Sequence, residues 1–165
     1  MTDIAKHVDQ WLRDAHAMEL QSERILGNQV KRIQHYPDLK ARLEQHLSET
    51  RHQRERLENC MKRRGIDNSV IKDAAGRFGA VMQAMGSMLA EDEVVKGLMA
   101  GYTFEQMEIA AYRILVVAAG KDQDTETVRV CEQICAEEEA MAHWFENNLT
   151  GLTETFLVRD ESGRR

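Results

Sequence analysis

Proline is nearly missing. Pro37 is the single proline in 165 residues, so almost nothing in the chain removes a helical hydrogen bond by ring closure. Aromatic residues make up only 5% of the chain, and no block rich in Val, Ile, Thr and aromatics reads as a strand, which excludes a β-rich fold. Long hydrophobic runs are absent too. The longest, Ile114 to Ala119, is far short of the roughly 20 residues needed to span a bilayer, so no membrane partner is expected. Positive charge is in deficit, with a formal net charge of −6 and no basic tract beyond Lys62-Arg63-Arg64. No nucleic-acid partner is therefore expected. Three cysteines, an odd number, supply no disulfide framework. Met1-Thr2-Asp3 leads straight into an amphipathic pattern without a charged and apolar leader, and a cytoplasmic location is expected.

What is abundant is Ala, Leu, Met, Glu, Gln, Arg and Lys, the strong helix formers, and the fold class expected is all-α. A first long helix is predicted from Thr2 or Asp3 to about Gln34, followed by the break at Tyr36-Pro37-Asp38. Asp38 is a plausible cap for a second helix reaching Arg64, and Gly65 suits its C-terminal stop. A shorter, glycine-punctuated and Met-rich helix is predicted from Val70 to about Leu89, as a crossover. A third long helix is predicted from about Glu91 to Ala119, ended by Gly120. A fourth starts at Asp122 or Asp124 and runs to about Leu149, ended by Gly151. Two long helices, a short one and two more long helices suit a four-helix bundle. Residues 1–152 are assigned to this one domain and residues 153–165 to a loose C-terminal tail.

Within these helices glutamate stands where leucine is expected. Leu12, Glu19, Leu26 and Ile33 share one seven-residue repeat, and Val94, Leu98, Gly101, Glu105, Glu108, Tyr112, Leu115 and Ala119 form a similar stripe. At about 100° per residue Glu19 falls inside the apolar stripe of the first helix, with His16 and Glu23 flanking it. On the second, Leu39, Leu43, Leu47, Leu57 and Met61 mark the inner face. His46, Thr50 and Gln53 lie in its middle and Glu49 at its edge. His52 lies further round, about 140° from the centre. On the fourth, Glu138 lies near the centre of the stripe of Ile134, Met141, Phe145 and Leu149, while Glu137 sits near its edge and Glu139 and His143 point away. An offset of 89 residues relates Glu19 to Glu108 and Glu49 to Glu138. An unpaired carboxylate in an apolar core is costly and needs a partner, a proton or a metal ion. Four helices that each turn a carboxylate inward at mid-height form a cage for two metal ions.

The residues also carry a resemblance. Phe104-Glu105-Gln106-Met107-Glu108-Ile109-Ala110-Ala111-Tyr112 resembles the Val-Glu-His-Tyr-Glu-Ile-Ala-Ser-Tyr stretch of the bacterial YciE/YciF family of ferritin-like proteins. Ala17-Met18-Glu19 is similar to that family's first helix. His46-Leu47-Ser48-Glu49-Thr50 is similar to its His-Leu-Glu-Glu-Thr helix, and Glu137-Glu138 to its Asp-Glu-Glu-Lys segment. The resemblance covers Trp11 to Leu149 and is diffuse between Asp67 and Ala100. It implies a ferritin-like bundle, which with the layout above gives a ferritin-like four-helix bundle with an extra short helix in the crossover between the second and third long helices. It also implies a two-metal carboxylate centre and an association with bacterial stress responses. The chain departs from the family pattern at Gln106 and Met107, where His and Tyr are usual, at Ala142, where an acid is frequent, and at His52, where many members have Gly.

The ligands expected are Glu19, Glu49, Glu108 and Glu138 as a four-carboxylate core, then Glu105 and His46, with His52 and His16 in reserve. Glu49-Thr50-Arg51-His52 has the Glu-x-x-His spacing of such sites literally, whereas His46 faces inward better. Hard oxygen donors with an imidazole suit two metal ions, iron first and manganese second. The partners expected are a second copy of the chain, as a homo-oligomer (dimer), and O₂ or peroxide. Alternatives from other classes are a non-catalytic stress or interaction bundle with a structural metal site, and a metal-free polar layer that sets helix register. Cys131 and Cys135, one turn apart, read as buried small hydrophobes, and Met82, Met85, Met88 and Met99 as core filling or an oligomer interface.

Overall fold

The structure is a computed structural model and describes residues 3–66 and 93–163. Four long helices make up nearly all of it: α1 (Asp3–Arg32), α2 (Pro37–Arg63), α3 (Glu93–Lys121) and α4 (Thr125–Glu161). The expected short helix at Val70–Leu89 lies outside the described residues. No helix among those described is long and apolar enough to cross a membrane.

Each boundary has a local cause. Pro37 occupies the first turn of α2, where its missing N–H costs nothing, and Tyr36 rather than Asp38 stands at the N-cap. Asp38 instead places its charge in the first turn, against the positive end of the helix dipole. Arg64 caps the far end and Gly65 follows at φ +72°, the left-handed conformation that closes a helix. Asp124 caps α4 by accepting from the Thr127 amide at 3.1 Å. At its other end α4 corrects the sequence reading. It runs through Gly151 and on to Glu161, so residues 153–161, expected to be loose, are helical. A glycine inside a helix costs about 1 kcal/mol relative to alanine. Here packing outweighs that cost: Leu149 and Leu152 join the core, and the Arg159 guanidinium lies 5.8 Å over the Tyr36 ring.

Neighbouring helices run antiparallel. The α1–α2 seam pairs His16 with Glu58 and Glu23 with Arg51, so position falls on one helix as it rises on the other. The α2–α4 seam pairs Arg63 with Asp124 and Gln53 with Glu137, and Tyr112 of α3 meets Glu19 of α1. Helix α2 therefore ends where α3 also ends, and the connection between them joins opposite ends of the bundle. This is the ferritin-like arrangement.

The core divides in two. One apolar cluster, built on Val8, Leu12, Met18, Leu57, Met61, Leu115 and Ile134, fills one half. The other, built on Leu26, Leu39, Leu43, Leu98, Met141 and Phe145, fills the opposite half. Each fully buried leucine among these contributes about 1.5–3 kcal/mol. Gly101 allows the closest approach in the second half: a Cβ there would meet the Phe145 ring at 2.8 Å. Between the two apolar halves lies a layer of buried polar side chains.

Candidate metal centre

The middle layer follows from the helical period. Glu19, His46, Gln53, Glu105, Glu108 and Glu138 occupy stripe positions that apolar residues take one or two turns away, and all are buried, none more than 2% exposed. Once the apolar turns on either side pack, these groups are carried into the interior whatever their own preference.

Four of them converge. His46 on α2, Glu105 and Glu108 on α3 and Glu138 on α4 each offer one ligand atom, and these atoms all lie within 4.8 Å of one another, so the group could hold a metal ion. The imidazole is oriented from behind. Its Nδ1–H donates to Glu49 Oε2 at 3.0 Å, and Glu49 is itself held by Gln45 at 2.7 Å and Arg42 at 3.3 Å. A carboxylate can only accept, so this bond directs Nε2 toward the centre. There Nε2 lies 3.3 Å from Glu105 Oε2 and 3.4 Å from Glu138 Oε2, near enough for ionic attraction but not aligned for a hydrogen bond. Carboxylate, histidine and centre in a row is the arrangement that fixes a metal-binding imidazole.

The layer is short of donors. Both oxygens of Glu108 and of Glu138, one oxygen each of Glu19 and Glu105, and Nε2 of His46 are buried with no hydrogen-bond partner. Buried polar atoms nearly always find a partner, so six carboxylate oxygens and one imidazole nitrogen without one at a single level call for a cation or protons. Carboxylates with one imidazole match a hard or borderline divalent ion.

The electrostatics express the same tension. Burial pushes the Glu19 carboxyl up to about 8, against the opposing hydrogen bond from Tyr112. Burial, and then the charges of Glu19 and Glu105, hold Glu108 well above the usual carboxylate range. Burial, then Glu108 and Glu19, do the same to Glu138. Burial alone would lower the His46 pKa, yet the charge of Glu105 and the bond to Glu49 outweigh it and raise it to about 9. Burial would raise Glu49, but its bonds to His46 and Gln45 and the charge of Arg42 bring it down to about 2. Without a cation, then, burial favours the protonated forms of Glu19, Glu108 and Glu138, while the outer Glu49 stays ionised.

The remaining expected ligands are placed as follows. Glu19 is in the layer beside the converging four, with one oxygen accepting from the Tyr112 hydroxyl. Glu49 stands outside them at the rim, behind His46. His16 is buried on the α1–α2 seam, with Nε2 at 2.9 Å from Glu58. His52 is exposed on the outer face of α2, as its angular position implies. Three of the departures from the family pattern are likewise away from the four: Gln106 is exposed, His52 is exposed, and Ala142 packs in an apolar cluster. Two features escape the facing count. One is the Tyr112–Glu19 bond, since spacing alone does not say which helix faces which. The other is the basic tract at 62–64. Arg64 donates to Asp9 at 2.6 Å, to Asp124 at 2.8 Å and to Asp122 at 2.9 Å, tying α1, α2 and the α3–α4 turn together.

Residues 4–158 match the family described as a domain of unknown function, DUF892. Among solved structures, a protein from Xanthomonas campestris pv. campestris is 33% identical, with a TM-score of 0.81 over 97% of this chain and 99% of that one. The E. coli stress protein YciF is 18% identical, with a TM-score of 0.78 over 93% of this chain and 99% of its own. YcfI from Rhodopseudomonas palustris is 24% identical, with a TM-score of 0.69 over 88% and 94%. The last two likenesses speak to the fold, a long-helix bundle of the same kind. With the family match running almost from end to end and YciF among the structural neighbours, this chain belongs to the DUF892 family, in agreement with the YciE/YciF resemblance carried by Glu105–Tyr112.

Proposed function

We propose that the protein is a ferritin-like dimetal carboxylate protein that reacts with O₂ or peroxide in a bacterial stress response. The observation that carries this reading is the set of seven buried, unpartnered polar atoms at mid-bundle, with His46, Glu105, Glu108 and Glu138 converging. These four would hold one ion, and Glu19 with the carboxylates of Glu108 and Glu138 would hold a second. Oxygen donors with one imidazole favour iron, then manganese. A bound pair of such ions would supply one-electron redox chemistry toward O₂ or peroxide. The chain's own residues do the rest. Glu49 orients the His46 ring, Tyr112 holds one oxygen of Glu19, and the two apolar halves exclude water. The inner carboxyls and the imidazolium release protons as a cation takes their place. A cytoplasmic homo-oligomer, a dimer, is part of the same proposal.

A second reading has an observation of its own. Because burial raises Glu19, Glu108 and Glu138, the layer can also exist as neutral carboxyls, a metal-free polar stratum in a non-catalytic bundle. Elemental analysis of the purified protein separates the two. Two iron or manganese ions per chain, lost in Glu108→Ala, are expected. A protein without metal that fails to take up added Fe(II) or Mn(II) would establish the second reading. A loaded protein that consumes neither O₂ nor peroxide would leave a structural metal site.

A further inference from the structure

A centre whose ligands are sealed from solvent needs a way in, and the four helix seams differ in what they offer. The α1–α2 seam is closed by a ring of ion pairs: Glu23 takes Arg51 at 3.0 Å and Arg54 at 3.2 Å, and Glu58 takes Arg54 at 2.8 Å and His16 at 2.9 Å. Across the α3–α4 seam the buried Cys135 thiol lies against the Ile109 carbonyl, and between α1 and α3 the buried Tyr112 meets Glu19. At the α2–α4 seam a surface carboxylate is bonded directly to a buried amide. Glu137, whose side chain is 34% exposed, accepts from Arg56 and, at 2.9 Å, from Gln53.

Gln53 is the informative residue. It is 0% exposed and lies on the inner face of α2, two turns from His46. Its amide NH₂ must face Glu137, because the carboxylate accepts only. Its carbonyl oxygen therefore points the other way, and that oxygen is buried with no partner. Glu19 also has a buried, unpartnered oxygen, and the field of Glu137 reaches it. A surface carboxylate held by Arg56 is thus bonded to a buried amide whose own oxygen is unpartnered, at the bundle level where Glu19 also keeps an unpartnered oxygen.

We propose that cations reach the centre through the α2–α4 seam, passing from Glu137 along the Gln53 carbonyl to Glu19, with Arg56 as the resident cation they displace. This rests on the metal-binding reading above but concerns the rate of uptake, not the ligand set. Gln53 and Glu137 shed no ligand when changed, so the amount bound at equilibrium stays the same while the rate of binding moves. A carbonyl that replaces part of an ion's water lowers the barrier to a dry interior. A carboxylate at the mouth raises the local cation concentration.

The test is stopped-flow mixing of the metal-free full chain with Co(II), followed by the visible absorption of the bound ion, with an equilibrium Co(II) titration alongside. Gln53→Leu is expected to slow uptake about ten-fold or more at unchanged stoichiometry, a barrier change of about 1.4 kcal/mol. Glu137→Gln is expected to slow it about ten-fold at low salt, with the difference shrinking as salt is added. Arg56→Ala is expected to speed uptake. Acceleration at an unchanged thermal midpoint separates a cleared mouth from a loosened bundle, so this variant decides the matter even if the thermal midpoint of Gln53→Leu has collapsed, and acceleration accompanied by a lowered midpoint of Arg56→Ala counts against the route. Parent-like rates in all three variants, or an equal slowing by Glu23→Gln on the α1–α2 seam, would overturn the route and leave the metal centre standing. A parent chain that binds no Co(II), Fe(II) or Mn(II) would remove the centre itself and the route with it.

Discussion

Two clusters of buried charge sit about half a bundle apart and are built on opposite principles. At one end Arg64 donates to Asp9, Asp122 and Asp124 and to the Ala5 carbonyl, and Arg63 adds bonds to Asp124 and Thr127. Acids there meet fixed guanidinium donors, and those bonds offset burial to hold the Asp124 carboxyl well below its ordinary range. At mid-height three carboxylates and an imidazole converge with hardly a donor among them, and burial drives Glu108 and Glu138 the other way. Carboxylates are fasteners in one place and free to take a cation in the other. What separates them is whether the folded chain supplies the counter-charge itself. A buried acid alone is a weak pointer to function; a buried acid left without a donor is a strong one.

The comparison is sharpened most by removing the counter-charge at the end. Arg64→Met strips Asp9 and Asp122 of their guanidinium and leaves Asp124 with Arg63 alone, and should destabilise the protein by about 3–5 kcal/mol in urea denaturation, while leaving metal uptake by the folded fraction intact. Titration gives the next test. Glu19 is raised from 4.5 to about 8, so the folded metal-free protein retains a proton that the unfolded chain has lost across that interval. Its stability should therefore fall as pH rises from about 5 to 8, by up to about 1.4 kcal/mol per pH unit for each proton retained. His46 adds to the trend, because the stability from its imidazolium is complete below 6.5 and lost as pH rises through about 9. With Mn(II) present the slope should flatten or reverse, since protons and metal compete for the same atoms. A metal-free thermal midpoint that climbs over this range would contradict the raised pKa values.

Glu108→Gln turns the sign of the first experiment around. Replacing an acid that the fold must keep protonated should raise metal-free stability by about 1–3 kcal/mol at pH 8 while abolishing full metal loading. A loss of stability would mean that Glu108 has a partner after all. The smallest effect expected is at the rim. Glu49→Gln keeps the packing but weakens the acceptor for His46 Nδ1–H, and should lower metal affinity about 10–100-fold with stoichiometry preserved. An unchanged affinity would show that His46 needs no orienting partner.

Much of this was legible in the chain. The 3.6-residue period alone places Glu19, His46, Glu105, Glu108 and Glu138 on inner faces, and all five are buried. Less legible were choices between neighbours on one helix. Glu49 lies at the edge of its stripe and His46 at the centre. One turn of helix separates them, and packing decides that the imidazole enters while the carboxylate stays behind to orient it. The expected end of α4 at Gly151 failed for a similar reason. A local preference of about 1 kcal/mol was overruled by contacts of Leu152 and Arg159 with the rest of the bundle, which the local pattern does not contain.

The sequence by itself determined the helices, their inward faces and the presence of a polar stratum between two apolar halves, because those depend on periodicity along one chain. Only the tertiary structure decided which acids meet which partners. Register between helices brings Arg64 to the acids at the end, turns Tyr112 onto Glu19 and sets Gln53 against Glu137, and leaves the mid-height oxygens without donors. Whether a buried charge is satisfied is a property of its neighbours, and neighbours on different helices are set by how the stripes interlock.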